Sequence, residues 1–367
     1  MIEIDEEDCP KTIRDFVKSN KDINVYEHIK RGANGEVFLG QRKKMGDHVV
    51  LKFYWTLEPG YDASEEAVIL RNIDHPNILK IFDLRSLPPY YAYFLTPKIS
   101  GGDLQGIIDA GSLSTYKTLE IIAGILIGLT ELHSAHNLVH RDLKPGNILI
   151  DLPENRPIIA DLGAVKKVDN ANDSVTASKS TILYLPPESI KENKYYYRSD
   201  IYQVGVIMFQ MLGGFFPIED PFKWLSEREL KQYNSIRNGH EKGKKFDDLI
   251  GKKITRGKLI DMNTLPFFID SGFKRVINKA IHPDYLQRFK IPSLFIKEIH
   301  NLLRTKPDYF FEANVLYVKH SNGKQYKIYK NKKDEIILEK KGCNSWRKDN
   351  GHTGTLVSAL AKASSKE

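Results

Sequence analysis

Cysteine is scarce. Two occur in 367 residues, Cys9 and Cys343, far apart and with no His or Cys beside them at metal-ligand spacing. Neither a disulfide framework nor a local zinc motif is indicated, and a reducing, cytoplasmic setting is expected. Long hydrophobic runs are missing too. The longest apolar stretch, residues 121–132, is interrupted by glycines, Thr130 and Glu131, and is too short to cross a bilayer. The N-terminus carries Glu3, Asp5, Glu6, Glu7 and Asp8 where a secretory leader would be basic, so neither export nor a membrane partner is expected. Internal repeats and low-complexity tracts are also lacking, which argues against solenoid and linker architectures.

What remains is an ordinary globular composition, long enough for a two-lobed body with a small appendage. The net charge of +8 is concentrated. Residues 228–258 hold ten Lys or Arg against four Asp or Glu, and residues 305–367 hold thirteen against seven. Each segment carries +6 and the rest of the chain carries −4, so basic character is local to two regions.

Residues 25–29, 36–41 and 48–53 read as short strands separated by turns, and residues 78–95 supply two more. Residues 64–71 read as a helix with Ser64 as its N-cap. From Leu104 onward helical periodicity dominates, with apolar helices at 119–132 and 201–212. A β-rich first part and a helix-rich second part predict two lobes with a cleft between them. Beyond Arg304, residues 315–330 carry the hairpin signal Asn322-Gly323, a further strand follows at 336–340, and 356–362 reads as a helix.

Several residue groups suit phosphate chemistry. In the turn Gly32, Ala33, Asn34, Gly35, Glu36, Val37, the missing side chains at Gly32 and Gly35 would let backbone N–H groups approach phosphate oxygens, although a plain hairpin explains the same glycines. Lys52 ends the run Val49, Val50, Leu51, and Glu66 follows fourteen residues on. A lysine held by a carboxylate presents a fixed cation to a nucleotide, while a surface ion pair is the plainer account. The densest group is Val139, His140, Arg141, Asp142, Leu143, Lys144, Pro145, Gly146, Asn147, Ile148, Leu149, followed by Asp161, Leu162, Gly163.

The order H-R-D-L-K-x-x-N then D-x-G resembles the eukaryotic-type protein kinase family from about residue 26 to residue 303. Pro186, Pro187, Glu188 is similar to A-P-E, residues 200–205 to D-x-W-x-x-G, and Arg288 to the late arginine that pairs with that glutamate. The resemblance implies an α+β, bilobal kinase-like fold: a tail or helix at 1–22, an N-lobe at 23–96, a C-lobe at 97–304, and a small β-rich basic module at 305–367. It implies ATP- and Mg²⁺-dependent phosphorylation of Ser or Thr on a protein substrate, with Mn²⁺ as an alternative ion and autophosphorylation of the activation segment.

By motif, Lys52 binds the α- and β-phosphates and Glu66 holds it, Asp161 and Asn147 are metal ligands, Asp142 accepts the hydroxyl proton, and Lys144 neutralises charge on the γ-phosphoryl group. Lys144 and Thr181 look like Ser/Thr-kinase markers. Aligned through Gly101 and Gly102, Thr96 is the gatekeeper, Pro97 and Ile99 face adenine with backbone groups, Asp103 lies near the ribose, and Val37, Val50 and Leu149 sandwich the ring. Arg141 suggests control by phosphate on Thr176 or Ser178, with Ser174 and Ser180 behind them; carboxylate partners for Arg141 are the other reading.

Departures from the family pattern are Lys30 for the first loop glycine, Leu162 for Phe, Pro186 for Ala and Tyr202 for Trp. None removes a charged catalytic group; a pseudokinase scaffold acting through the basic module is the alternative reading. The first basic segment, within 225–265, is expected to be a solvated loop. In the second, basic residues alternate with Tyr317, Tyr326, Tyr329 and Trp346. That mix is compatible with nucleic acid, but a packed sheet with outward lysines is the preferred reading.

Overall fold

The computed structural model describes residues 4, 9–29, 35–55, 70–111, 113–169, 173–177, 181–218, 220–343 and 345–365. Five antiparallel strands open the fold: β1 (Ile23–Ile29), β2 (Val37–Arg42), β3 (His48–Trp55), β4 (Asp83–Leu87) and β5 (Tyr91–Pro97), in spatial order β1-β2-β3-β5-β4. Strand alternation sorts β3. Val49, Leu51 and Phe53 are fully buried on one face, while Val50 and Lys52 point the other way. Helix α1 (Lys11–Ser19) covers the buried face with Ile13 and Val17, and Phe16 packs its ring 4.9 Å from Tyr93 and 5.8 Å from Phe53. Of the expected helix at 64–71, residues 64–69 lie outside the described residues.

The helical lobe is built round α3 (Thr115–Thr130) and α5 (Tyr197–Met211), with the short α2 (Leu104–Asp109) and α4 (Pro187–Glu192) beside them. Both long helices are apolar on nearly every side, which only a helix enclosed by protein can be. Together with the π turn Glu131–Ala135, α3 is long and apolar enough to span a bilayer, but its apolar residues are mostly buried in this lobe's core.

The basic stretch expected to be a solvated loop is two helices, α6 (Glu227–Asn234) and α7 (Gly239–Thr255). Ser226 and Glu229 form a reciprocal capping box at the start of α6, and Asn238 caps α7. Leu249, Ile250 and Ile254 are buried on one face of α7, so the lysines occupy the remaining solvated face. Helices α8 (Ser271–Ala280) and α9 (Pro292–Thr305) complete the lobe.

A separate antiparallel meander follows: β12 (Asp308–Glu312), β13 (Val315–Lys319), β14 (Gln325–Lys330), β15 (Ile336–Lys341) and β16 (Trp346–Lys348), backed by α10 (Leu356–Ser364). Gly323 at φ +86° closes the expected hairpin, where His320 N donates to Lys324 O at 2.9 Å. The inner face shares the helical lobe's core through Tyr309, Leu316, Val318 and Ile328. On the outer face Lys327 pairs with Glu339 at 2.5 Å and lies 5.0 Å from the Trp346 ring, so this aromatic and basic pattern is satisfied within the sheet.

Asp308 joins sheet to lobe. Its Oδ1 accepts from Tyr116 N at 2.8 Å and from Thr115 Oγ1 at 3.2 Å, occupying orphan donors in the first turn of α3. Asp308→Ala should therefore destabilise the full chain by about 1–2 kcal/mol, as losing a helix-capping carboxylate does. An unchanged urea midpoint would show that water replaces the cap at no cost.

Candidate active site

Four segments meet at the cleft: the face of β3 bearing Lys52, the link from β5 to α2, the loop between β6 (Leu138–Val139) and β7 (Ile148–Asp151), and the turn after β8 (Arg156–Ile159). The loop is shaped by one buried carboxylate. Asp200, on α5, accepts His140 N at 2.9 Å and Arg141 N at 3.0 Å, with His133 Nε2 at 2.8 Å and Tyr195 OH at 2.6 Å. Burial pushes its pKa up, but the His133 hydrogen bond and the charges of His133 and His140 outweigh that and hold it below the ordinary value. Gln203 adds an acceptor for Leu143 N at 2.8 Å. With so many backbone groups anchored, Arg141 holds φ +72°, and Asp142 is aimed into the cleft from a fixed support.

Asp142 is 6 % exposed and its two oxygens differ. Oδ2 accepts from Lys144 Nζ at 3.0 Å and Asn147 Nδ2 at 2.9 Å; Nδ2 also donates to Asp142 O at 2.7 Å. Oδ1 has no hydrogen-bond partner among the described residues. A buried carboxylate oxygen with an idle lone pair is costly unless something donates to it, and an incoming hydroxyl can.

Asp161 adopts φ +56°, ψ +60°, and its Oδ1 lies 2.5 Å from Lys52 Nζ. Burial raises the Asp161 pKa, yet Lys52, with His140 and Lys144 further off, brings it net below the usual carboxylate value, so it is ionised at neutral pH. Since Asn147 spends both Nδ2 hydrogens on Asp142, its Oδ1 is left as an acceptor. Asn147 Oδ1 and the Asp161 carboxylate are hard oxygen donors of the kind Mg²⁺ takes, so the residues fit such an ion. Glu66, the expected partner of Lys52, lies outside the described residues, as do Gly32, Lys30, Ser178 and Ser180.

Gly35 is described and cannot be replaced without movement: at φ +126°, an added Cβ would come 1.9 Å from Phe53 O. Val37 is paired with Lys52 and Val50 with Thr96 across the sheet; Val37 and Val50 are half-buried and Thr96 is buried. Pro97 ends β5 and Ile99 follows, both half-buried. Gly101 N donates to Ile150 O and Ile150 N to Gly102 O, each at 2.9 Å, which sets Asp103 against Leu149. Asp103 has another task than the one expected: its Oδ1 accepts from Gly106 N at 2.8 Å as the N-cap of α2. Leu162 is buried, as an apolar replacement for Phe must be.

Arg141 donates to Ala164 O at 2.6 Å and to Thr176 O at 2.7 Å, so carbonyls meet the guanidinium where carboxylates were the other reading. Thr176 itself is exposed beside it, and Thr181 is exposed at the start of a 3₁₀ turn, Ile182–Tyr184. Further down, Arg288 and Glu188 form two parallel bonds of 2.8 Å, and Arg288 lies 4.8 Å from the Tyr202 ring centre, so tyrosine serves where tryptophan is usual. His133, Tyr195 and Gln203 were not foreseen, because no spacing links them to Asp200.

A family model described as "Protein kinase domain" matches residues 23–299, and the chain belongs to the protein kinase family. It is 29% identical over 286 residues to calcium-dependent protein kinase 5 of Plasmodium berghei (strain Anka), covering 75% of this chain and 46% of that protein. It is 31% identical over 238 residues to myosin light chain kinase A of Dictyostelium discoideum, 62% of this chain and 79% of that one. Similarity to serine/threonine-protein kinase 36 of Pongo abelii is 30% over 221 residues, 55% of this chain and 16% of that protein. The chain thus spans about half the length of the Plasmodium relatives or less than a fifth of the last, and its family branch is the serine/threonine one.

Proposed function

We propose that this chain transfers the γ-phosphoryl group of ATP, with a divalent cation, to Ser or Thr hydroxyls of proteins, its own activation segment included. The observation that carries the reading is the asymmetry of Asp142: one oxygen held by Lys144 and Asn147, the other buried and free to accept. Asp142 orients the hydroxyl through Oδ1 and takes its proton as the new O–P bond forms and the bond to the ADP oxygen breaks. Lys144, already beside Asp142, places its charge where the γ-phosphoryl oxygens gather electron density. Lys52 is held by Asp161 at a fixed height over the cleft and grips the α- and β-phosphates. Mg²⁺, when bound, neutralises phosphate charge, and Asp161 and Asn147 Oδ1 would hold it; Mn²⁺ suits the same oxygens. Thr176, exposed next to Arg141, is the favoured self-acceptor. An intracellular setting belongs to the same reading, supported by the unpaired Cys9 and Cys343.

The test is phosphate incorporation from ATP and Mg²⁺ into the chain and into a generic basic protein. Wild type should label Ser or Thr, and Lys52→Met should reduce labelling by about 10²-fold or more, the loss expected when a preorganised cation is removed from a transferring phosphoryl group. Wild type that binds nucleotide but labels nothing would favour a scaffold without catalysis.

A further inference from the structure

A second cluster lies outside the cleft, beneath the glycine turn. Cys9 precedes α1, His28 is on β1 and Glu36 stands just ahead of β2. Their ligand atoms, Cys9 Sγ, a His28 ring nitrogen and a Glu36 carboxylate oxygen, all lie within 4.8 Å of one another. Cys9 and His28 are buried, and Glu36 keeps 23 % of its side chain exposed. We infer that Cys9, His28 and Glu36 form a binding site for a thiophilic divalent cation, Zn²⁺ or one like it, with a fourth position open to water.

Bond lengths of about 2.0–2.3 Å from zinc to N, O and S place tetrahedral donors about 3.3–3.7 Å apart. The cluster approaches that span, and the His28–Glu36 contact, now a 2.6 Å hydrogen bond from Nε2 to Oε2, need open only by under an ångström. Each ligand is already aimed. The His28 ring is stacked on Phe38 with centroids 4.4 Å apart and planes 10° apart, and Glu36 O accepts Phe53 N at 2.8 Å. A cavity of about 550 Å³ lined by Pro10, Ile13, Glu36 and Trp55 reaches the carboxylate from solvent and offers an entry path.

A histidine–glutamate hydrogen bond alone needs no sulfur. The thiol gains little here: its one hydrogen bond is weak, to Pro10 O at 3.9 Å. Burial first, then the charge of Glu36, pushes its pKa up to about 11, with Arg14 opposing. A divalent cation supplies the charge this thiol–carboxylate pair lacks and takes the sulfur as thiolate. Sequence spacing could not reveal the site, since nineteen positions separate Cys9 from His28. His28 and Glu36 flank residues 30–34, so an ion here ties the N-terminal segment to both strands that carry the glycine turn.

The experiment uses the full chain with Cys343→Ser, leaving Cys9 as its one thiol, in excess Mg²⁺ so that Asp161 and Asn147 do not take the probe. Titration with Co²⁺ should give a thiolate-to-cobalt charge-transfer band that saturates at one equivalent and is displaced by Zn²⁺. Cys9→Ser should abolish it, and His28→Gln or Glu36→Gln should weaken binding at least about 10-fold. Absence of the band, or equal affinity in the His28 and Glu36 variants, overturns the site. One measurement needs no ligand substitution: Zn²⁺ should slow alkylation of Cys9 by iodoacetamide about 10-fold or more, and an unchanged rate overturns the proposal equally.

Discussion

Asp142→Ala should lower the rate of phosphoryl transfer by about 10²–10⁴-fold, the range for removing a positioned general base, while nucleotide affinity stays close to wild type. The two effects separate because Asp142 lies on the hydroxyl side of the reaction. Lys52 and Asp161, which the proposal assigns to the phosphates, are paired with each other at 2.5 Å and make no hydrogen bond to Asp142 among the described residues. Lys144 and Asn147 do contact Asp142, so the substitution also frees Lys144 Nζ and one Asn147 hydrogen. Asp142→Asn tests that point: it keeps the shape, yet it cannot accept a proton and sets an amide against Lys144. It should be as slow as alanine if proton acceptance and charge matter, and intermediate if orientation alone does. Single-turnover labelling and nucleotide titration on each variant give the two numbers. Parallel loss of nucleotide affinity and rate would mean that Asp142 supports the whole loop.

The catalytic groups were legible because they are nearly contiguous. Asp142, Lys144, Asn147 and Asp161 fall within twenty residues, and their order alone carries the pattern. The network that aims them was not legible: Asp200 gathers His133, His140, Arg141 and Tyr195, which meet only after α5 crosses behind the loop. Asp103 shows a different failure. Its place after two glycines fits a ribose contact, but any aspartate one residue ahead of a helix competes for that helix's free N–H groups, and here the cap takes the carboxylate. In α7 the buried Leu249, Ile250 and Ile254 were hidden among lysines and aspartates, so charge density outweighed a weak periodicity. Strands β12 and β16 were missed for reasons of length and place. The first follows α9 after two residues and the second has three residues, too few to show alternation.

Arg288→Ala should cost about 3–5 kcal/mol, the penalty for leaving one member of a buried ion pair alone. The Arg288 side chain is fully buried and Glu188 is 4 % exposed. The guanidinium also donates to His282 O at 2.7 Å and Arg198 O at 3.0 Å, so alanine strands carbonyls from two further segments. Glu188 keeps a bond from Ser199 Oγ, which stabilises its charge too weakly to replace the lost fork. The orphaned charge, more than the lost attraction, sets the size of the effect, and a double substitution separates the two. Glu188→Gln with Arg288→Met removes both charges while filling most of the volume, and a paired deletion of this kind is often close to neutral. Urea unfolding should therefore place the double variant nearer to wild type than Arg288→Ala. If both are equally unstable, the four-way hydrogen bonding of Arg288, and not the uncompensated carboxylate, holds α4, the start of α5 and the segment before α9 together.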